Sequence, residues 1–402
     1  MPASITLEAP GRDSTRRLSS AGSRRAIDLI YIDAGGGHRA AATALAEVIA
    51  RQERPWDLRR LNIQDLLYPI DFVRKATGIP FQEIYNIMLR RGWTLGTAQL
   101  IPMMHAAIRL CHSSQVRVLE AHFRRSRPDM VISLIPHYNR ALKEALEHAQ
   151  PGAPLVTVLT DIADYPPHFW IERQDQYVIC GSERAEQQAR GLRLPDARVQ
   201  RVSGMILNPK FYEPLDFDRH AELARLGLRP DLPTGIVMFG GEGSMAQVSI
   251  TRALNTSGLA VQLILLCGRN ERVLRELRGL VPRLPMLVEG FTGNVPYYMH
   301  LADFFVGKAG PGSISEALAM RLPVIVEKNA WTMAHERYNA DWIRDQELGI
   351  VLNSFANISE GVREMLRPER YRRFRKNAAT IRNTAVFEIP DLLNTILARQ
   401  AA

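Results

Sequence analysis

His38 stands directly behind three glycines, in Gly35-Gly36-Gly37-His38-Arg39, and ahead of the alanine-rich stretch Ala40 to Arg51. A histidine at a helix N-terminus meets the positive end of the helix dipole, which disfavours imidazolium, so a neutral ring able to accept a proton is expected. The plainer reading of the same residue is a structural histidine or a solvated helix cap. The loop lacks the Lys-Ser/Thr of a Walker motif and the spaced glycines of a dinucleotide fingerprint. Two more polar residues follow strand-like runs in this half. His137 comes after Pro128 to Leu134, and Asp161 after Pro154 to Thr160. Ligands of open α/β sheets gather beyond the carboxyl ends of the strands, which puts His38, His137 and Asp161 on one rim.

The second half carries a different set. Lys308-Ala309-Gly310-Pro311-Gly312-Ser313 breaks the apolar run Ala302 to Gly307 and leads into Ile314 to Arg321, whose apolar residues have helical spacing; Leu322 to Val326 begins the next strand. A small-residue loop between strand and helix offers bare backbone N–H groups to an anion. Glu316 sits one turn inside that helix, so a diphosphate on the loop with a ribose diol on the carboxylate is the economical reading. A tight turn whose glycines only allow close packing is the bland one. Gly240-Gly241-Glu242-Gly243-Ser244, after the strand Thr234 to Phe239, is a phosphate-type loop and weak evidence alone.

These groups need a scaffold of alternating strands and helices, and 402 residues are enough for two α/β domains. Residues 1–25 are polar, carry five arginines and read as a disordered tail. Residues 26–205 form the expected first domain, 206–217 a linker with two prolines, and 218–385 the second. Residues 386–402 are expected as a helix crossing back to the first domain. Asp216-Phe217-Asp218 follows no strand and is read as a helix cap. No run of about 18 apolar residues predicts a transmembrane helix. Cys111, Cys180 and Cys267 lack metal or disulfide spacing, which suits a reducing cytosol.

Net charge is +9, and residues 50–127 hold 13 Lys+Arg against 6 Asp+Glu. That surplus points to an anionic surface, and no nucleic-acid-binding signature accompanies it. Phe81, Tyr85, Leu89 and Trp93 repeat at four-residue spacing beside Arg90-Arg91, the composition of an interfacial helix and equally of a helix packed on its own domain.

Lys308 to Ala317 resembles the nucleotide-sugar signature of the monogalactosyldiacylglycerol synthase and processive diacylglycerol glucosyltransferase family, to which the lipid II-forming N-acetylglucosaminyltransferase is more distantly related. Asp33-Ala34-Gly35-Gly36-Gly37-His38-Arg39, Cys267-Gly268-Arg269-Asn270 and Val288 to Asn294 are similar to further motifs of that family, in the same order. The resemblance spans about Ile27 to Leu352. It implies a GT-B fold, two Rossmann-like domains facing a central cleft, and an inverting transfer of a hexose from a UDP-sugar to a lipid hydroxyl in diacylglycerol-type glycolipid synthesis. It makes His38 the candidate general base with Asp161 beside it, and sets Gly36, Gly37, His137 and Trp170 on the acceptor side. Phe291 and Thr292 are then expected at the uracil and Gly240, Gly241, Gly243, Gly312 and Ser313 at the diphosphate. Glu316 takes the ribose, with Ser244, Arg269, Lys308 and Gly310 also binding donor. His335 stands where the family has Gln in a pair that binds the donor sugar, and Glu336 matches its partner. The implied enzyme is cytoplasmic and peripherally attached to the inner face of the cell membrane, with no nucleic-acid partner. No metal or cofactor is expected, because fixed N–H dipoles can stabilise a leaving diphosphate. A polyprenyl-linked or soluble acceptor is the alternative, and a UDP-sugar epimerase or a UDP-sugar-binding regulator shares the fold.

Overall fold

The computed structural model describes residues 24–33, 36–71, 74, 78, 104–106, 108–165 and 168–400. The stripe Phe81 to Trp93 and its arginines lie outside them, as do Ala34 and Gly35.

Twelve short strands form two six-stranded parallel sheets. The first contains β1 (Arg25–Tyr31), β2 (Trp56–Asn62), β3 (Met130–Ser133), β4 (Leu155–Val158), β5 (Tyr177–Cys180) and β6 (Val199–Arg201), in the order β2-β1-β3-β4-β5-β6. The second contains β7 (Thr234–Met238), β8 (Gln262–Leu266), β9 (Met286–Glu289), β10 (Phe304–Val306), β11 (Val324–Glu327) and β12 (Gly349–Leu352), in the order β12-β11-β10-β7-β8-β9. The second order is the doubly wound one, reversing between β7 and β10; the first sheet reverses between β1 and β3. Crevices open beyond the strand ends at such reversals, because the connecting helices leave to opposite faces. The loops after β1 and β7 start at these two points.

Parallel strands are covered by helices on both faces, which explains their near-continuous apolar runs. In β1, Ile27 and Leu29 pack against the helix Gly37–Arg51 through Ala41, Leu45 and Val48, while Ile30 faces Leu119, Phe123 and Leu142 on the other side. Asp28 interrupts this run yet is fully buried, because Arg59 (2.7 Å), His122 (3.3 Å) and Ser126 (3.0 Å) satisfy it. The helix Ala385–Gln400 buries Ile389, Leu393, Ile396 and Leu397 in the first sheet's core, although it follows the whole second sheet. Its entry is pinned where Asn383 donates to the Met205 carbonyl (3.0 Å) against Gly204. Asp218 caps the helix Arg219–Arg225 by accepting from His220 N–H, at 2.9 Å. Among the described residues no helix is long and apolar enough to cross a membrane.

Candidate active site

A cleft of about 480 Å³ lies between the two sheets and is lined from both sides. From the second sheet come Gly240 and Gly241 after β7, Arg269, Phe291 and Thr292 after β8 and β9, and Lys308, Gly310, Gly312, Ser313 and Glu316 after β10. His335 and Glu336 follow β11.

Pro311 occupies the first turn of the helix Pro311–Ala319, where its missing N–H costs nothing, and Gly310 precedes it. The glycines here divide by role. A Cβ on Gly307 would lie 2.4 Å from the Met238 carbonyl, so Gly307 serves packing; a Cβ on Gly312 or Gly240 would meet nothing within 4 Å. The backbone at Gly240 and Gly312 therefore faces open space at the head of the cleft, where a ligand can reach the N–H groups. Gly240 also takes a left-handed conformation (φ 73°) that a side chain would strain.

Removal from water pushes the Glu316 carboxyl up to about 7, and among the described residues no cation pairs with it. Lys308 Nζ and Glu336 Oε1 form a pair at 2.6 Å on the cleft wall. Burial raises the Glu336 carboxyl, but Lys308 and His335 outweigh it and the carboxyl ends below its usual range. The Arg269 guanidinium lies 3.8 Å over the Phe291 ring, an exposed flat platform suited to a planar base.

From the first sheet come Gly36, Gly37 and His38 after β1, and Thr160 and Asp161 after β4. Gly36, left-handed at φ 83°, precedes the helix Gly37–Arg51 and leaves its first N–H groups facing the cleft. His38 Nδ1 is 3.0 Å from the Thr160 hydroxyl. Burial lowers the His38 pKa; Asp161 and the Leu134 carbonyl pull it back, His335 and Lys308 push it down, and it stays below the ordinary value. The ring is neutral at neutral pH, as a proton acceptor must be.

Four residues expected to touch a ligand are placed elsewhere. Trp170 is fully buried, and its indole N–H donates to Asp161 Oδ2 at 2.8 Å, with the ring centroid 5.7 Å from that of His38; it holds the site from behind. His137 is not among the residues lining the cleft; its backbone N–H donates to the Phe169 carbonyl (2.7 Å) and its ring packs on Phe169 and His105. Gly243 turns under the loop, where a Cβ would strike the Cys267 carbonyl at 2.2 Å. Ser244 accepts from Ala246 N–H, at 3.2 Å. Gly243 and Ser244 line a neighbouring recess of about 460 Å³ that meets the cleft at Gly240, Lys308 and Glu336.

Thr160 and Phe169 were missed by the sequence reading. Thr160 reads as a strand end, with only its place before Asp161 as a signal. Phe169 stacks on His335 across the two halves at 5.8 Å, a contact with no local signature.

Residues 241–395 match the glycosyltransferase family 28 C-terminal domain. The chain is a glycosyltransferase. It is 27% identical over 343 residues to a probable monogalactosyldiacylglycerol synthase 2, chloroplastic, of Oryza sativa subsp. japonica, covering 80% of this chain and 69% of the relative. The monogalactosyldiacylglycerol synthase 1 of Arabidopsis thaliana is 26% identical over 361 residues, covering 85% of this chain and 64% of its own. The family resemblance of the separate motifs thus holds along most of the chain. Among solved structures, MurG of Acinetobacter baumannii superposes with a TM-score of 0.60 at 12% identity, covering 92% of this chain and 99% of its own. A UDP-GlcNAc 2-epimerase from Neisseria meningitidis reaches 0.59, also at 12%. At such identities these neighbours show the fold alone, which for this glycosyltransferase is GT-B.

Proposed function

We propose that this glycosyltransferase moves a hexose, with inversion, from a UDP-sugar to the hydroxyl of a diacylglycerol-type lipid. The observation that carries the reading is the pairing, across one cleft, of a neutral His38 with an open-backed helix N-terminus and the unneutralised Glu316. We take residues 26–205 as the acceptor half and 218–385 as the donor half. Uracil rests on the Arg269–Phe291 platform, ribose hydroxyls donate to Glu316, and the diphosphate takes N–H groups at Gly240, Gly241, Gly312 and Ser313. The acceptor oxygen attacks the anomeric carbon while His38 takes its proton, and the electron pair of the breaking bond leaves on the diphosphate. Lys308 and the loop N–H groups face that developing charge. Asp161 stabilises the imidazolium formed.

The lipid acceptor is supported by the names of the curated relatives and by the basic surplus of residues 50–127. Each buried CH₂ holds a lipid in the bilayer by about 0.8 kcal/mol, so the enzyme must work at the surface. We place it peripherally on the inner, anionic face of the membrane. Arg90→Glu with Arg91→Glu then releases the protein from anionic vesicles while leaving UDP affinity intact. Equal pelleting of both proteins at low salt would sink the attachment. Turnover with a panel of lipids and UDP-sugars, read by product mass, tests the reaction. A product formed only on polyprenyl-linked or soluble acceptors overturns the diacylglycerol assignment; UDP release without an acceptor would favour an epimerase.

A further inference from the structure

We infer that Thr160 is a positioning residue that fixes the tautomer of His38, an inference that rests on His38 being the general base. In the familiar arrangement of a catalytic histidine, a carboxylate holds one ring nitrogen and frees the other for the reaction. Here the acid is engaged otherwise. Asp161 Oδ2 accepts the Trp170 indole N–H at 2.8 Å, and the partner on His38 Nδ1 is the Thr160 hydroxyl at 3.0 Å. Trp170 is fully buried and held in turn, because Asp164 accepts its backbone N–H at 2.8 Å. One oxygen of Asp161 is therefore engaged by Trp170, while Thr160, partly exposed on the cleft wall, faces the imidazole.

A hydroxyl can donate to a bare ring nitrogen or accept from a protonated one. Base action toward the cleft requires a lone pair on Nε2, so the proton sits on Nδ1 and Thr160 Oγ1 accepts it. A hydroxyl in this position orients the ring without drawing a second proton onto it as strongly as a carboxylate would. His38 thus stays neutral at rest while its tautomer remains defined, and Asp161 is left to act on the imidazolium through space.

The test uses the full chain with ¹⁵N-labelled histidine. Long-range proton–nitrogen spectra distinguish the two neutral tautomers, and Thr160-independent assignment of the signal comes from Thr160-intact protein carrying His38→Ala. Wild type is expected to show Nδ1–H, and Thr160→Val to show the Nε2–H form or a mixture. Turnover of Thr160→Val should fall about tenfold in kcat, less than the roughly 10²–10⁴ lost with the base itself, with donor affinity unchanged. Thr160→Ser should restore both the tautomer and kcat, which a loss of packing alone would not allow. An Nε2–H ring in the wild type overturns the inference, and so does Thr160→Val with an unchanged tautomer and unchanged kcat. Retained turnover in His38→Ala would overturn the base assignment instead, and the spectra would still decide the Thr160 contact.

Discussion

The two walls of the cleft recognise their ligands by different means. The donor wall offers backbone: Gly240 and Gly312 lie open, with Gly241 against Arg269, and the side chains among them either pair with each other, as Lys308 and Glu336 do, or, as Glu316 does, pair with no cation among the described residues. The acceptor wall adds to the open backbone at Gly36 and Gly37 side chains held by other side chains, with His38 on Thr160 and Asp161 on Trp170. A backbone cradle binds a diphosphate in any protein that can build the turn. A held imidazole does one job at one atom. Changes on the donor wall should therefore act on affinity, and changes on the acceptor wall on the chemical step.

His38→Ala is the hardest test of that division. Turnover should fall by roughly 10² to 10⁴, the usual worth of a general base. Calorimetry should find UDP affinity unchanged. Activity within about tenfold of wild type would move the base elsewhere, and Asp161 would be examined next.

Glu316→Ala should do the opposite, weakening UDP by on the order of 1.5–3 kcal/mol for each charge-assisted hydroxyl bond lost. The folded protein should hold or gain stability, because a carboxyl removed from water without a neutralising cation is replaced. An unchanged UDP affinity would break the ribose assignment.

The Glu316 pKa of about 7 supplies a finer test. The folded value lies above that of an exposed carboxyl, so below pH 7 the ligand-free protein is mostly protonated there. The ribose diol requires the carboxylate as acceptor. Affinity for a UDP-sugar should accordingly rise between pH 6 and 8, by up to about tenfold per unit of pKa difference, and Glu316→Gln should flatten the profile. A flat wild-type profile would mean that the carboxyl is already ionised when empty.

The smallest effect is expected at Gly312→Ala. The added methyl meets nothing in the free protein, and alanine favours the helix, so thermal stability should be equal or slightly higher. Donor affinity should drop by about tenfold, or 1.4 kcal/mol, as the methyl fills the approach to the N–H groups. Unchanged affinity would return this loop to a packing role.

The alternation of strand and helix, the glycine loops and the rim carrying His38 and Asp161 were all legible in the chain. They depend on local periodicity and on turn residues a few positions apart. Trp170, His137, Gly243 and Ser244 fall outside the residues that line the cleft, although each sits in or beside a strand-end loop that the chain made legible. Adjacent residues at a strand end point in different directions, so proximity in sequence does not say which one faces the ligand. Gly243 shows this most plainly, since it belongs to the expected loop but is required by the Cys267 carbonyl beneath it.

By itself the sequence determined which segments are strands, which loops expose backbone, and which residue types wait at the loops' ends, because hydrogen-bonding geometry and side-chain periodicity act over a few residues. Only the tertiary structure decided that Trp170 supports Asp161 from inside and that Phe169 stacks on His335 from the opposite half. Those contacts join residues far apart in the chain. They depend on how two finished sheets pack, which no short-range pattern encodes.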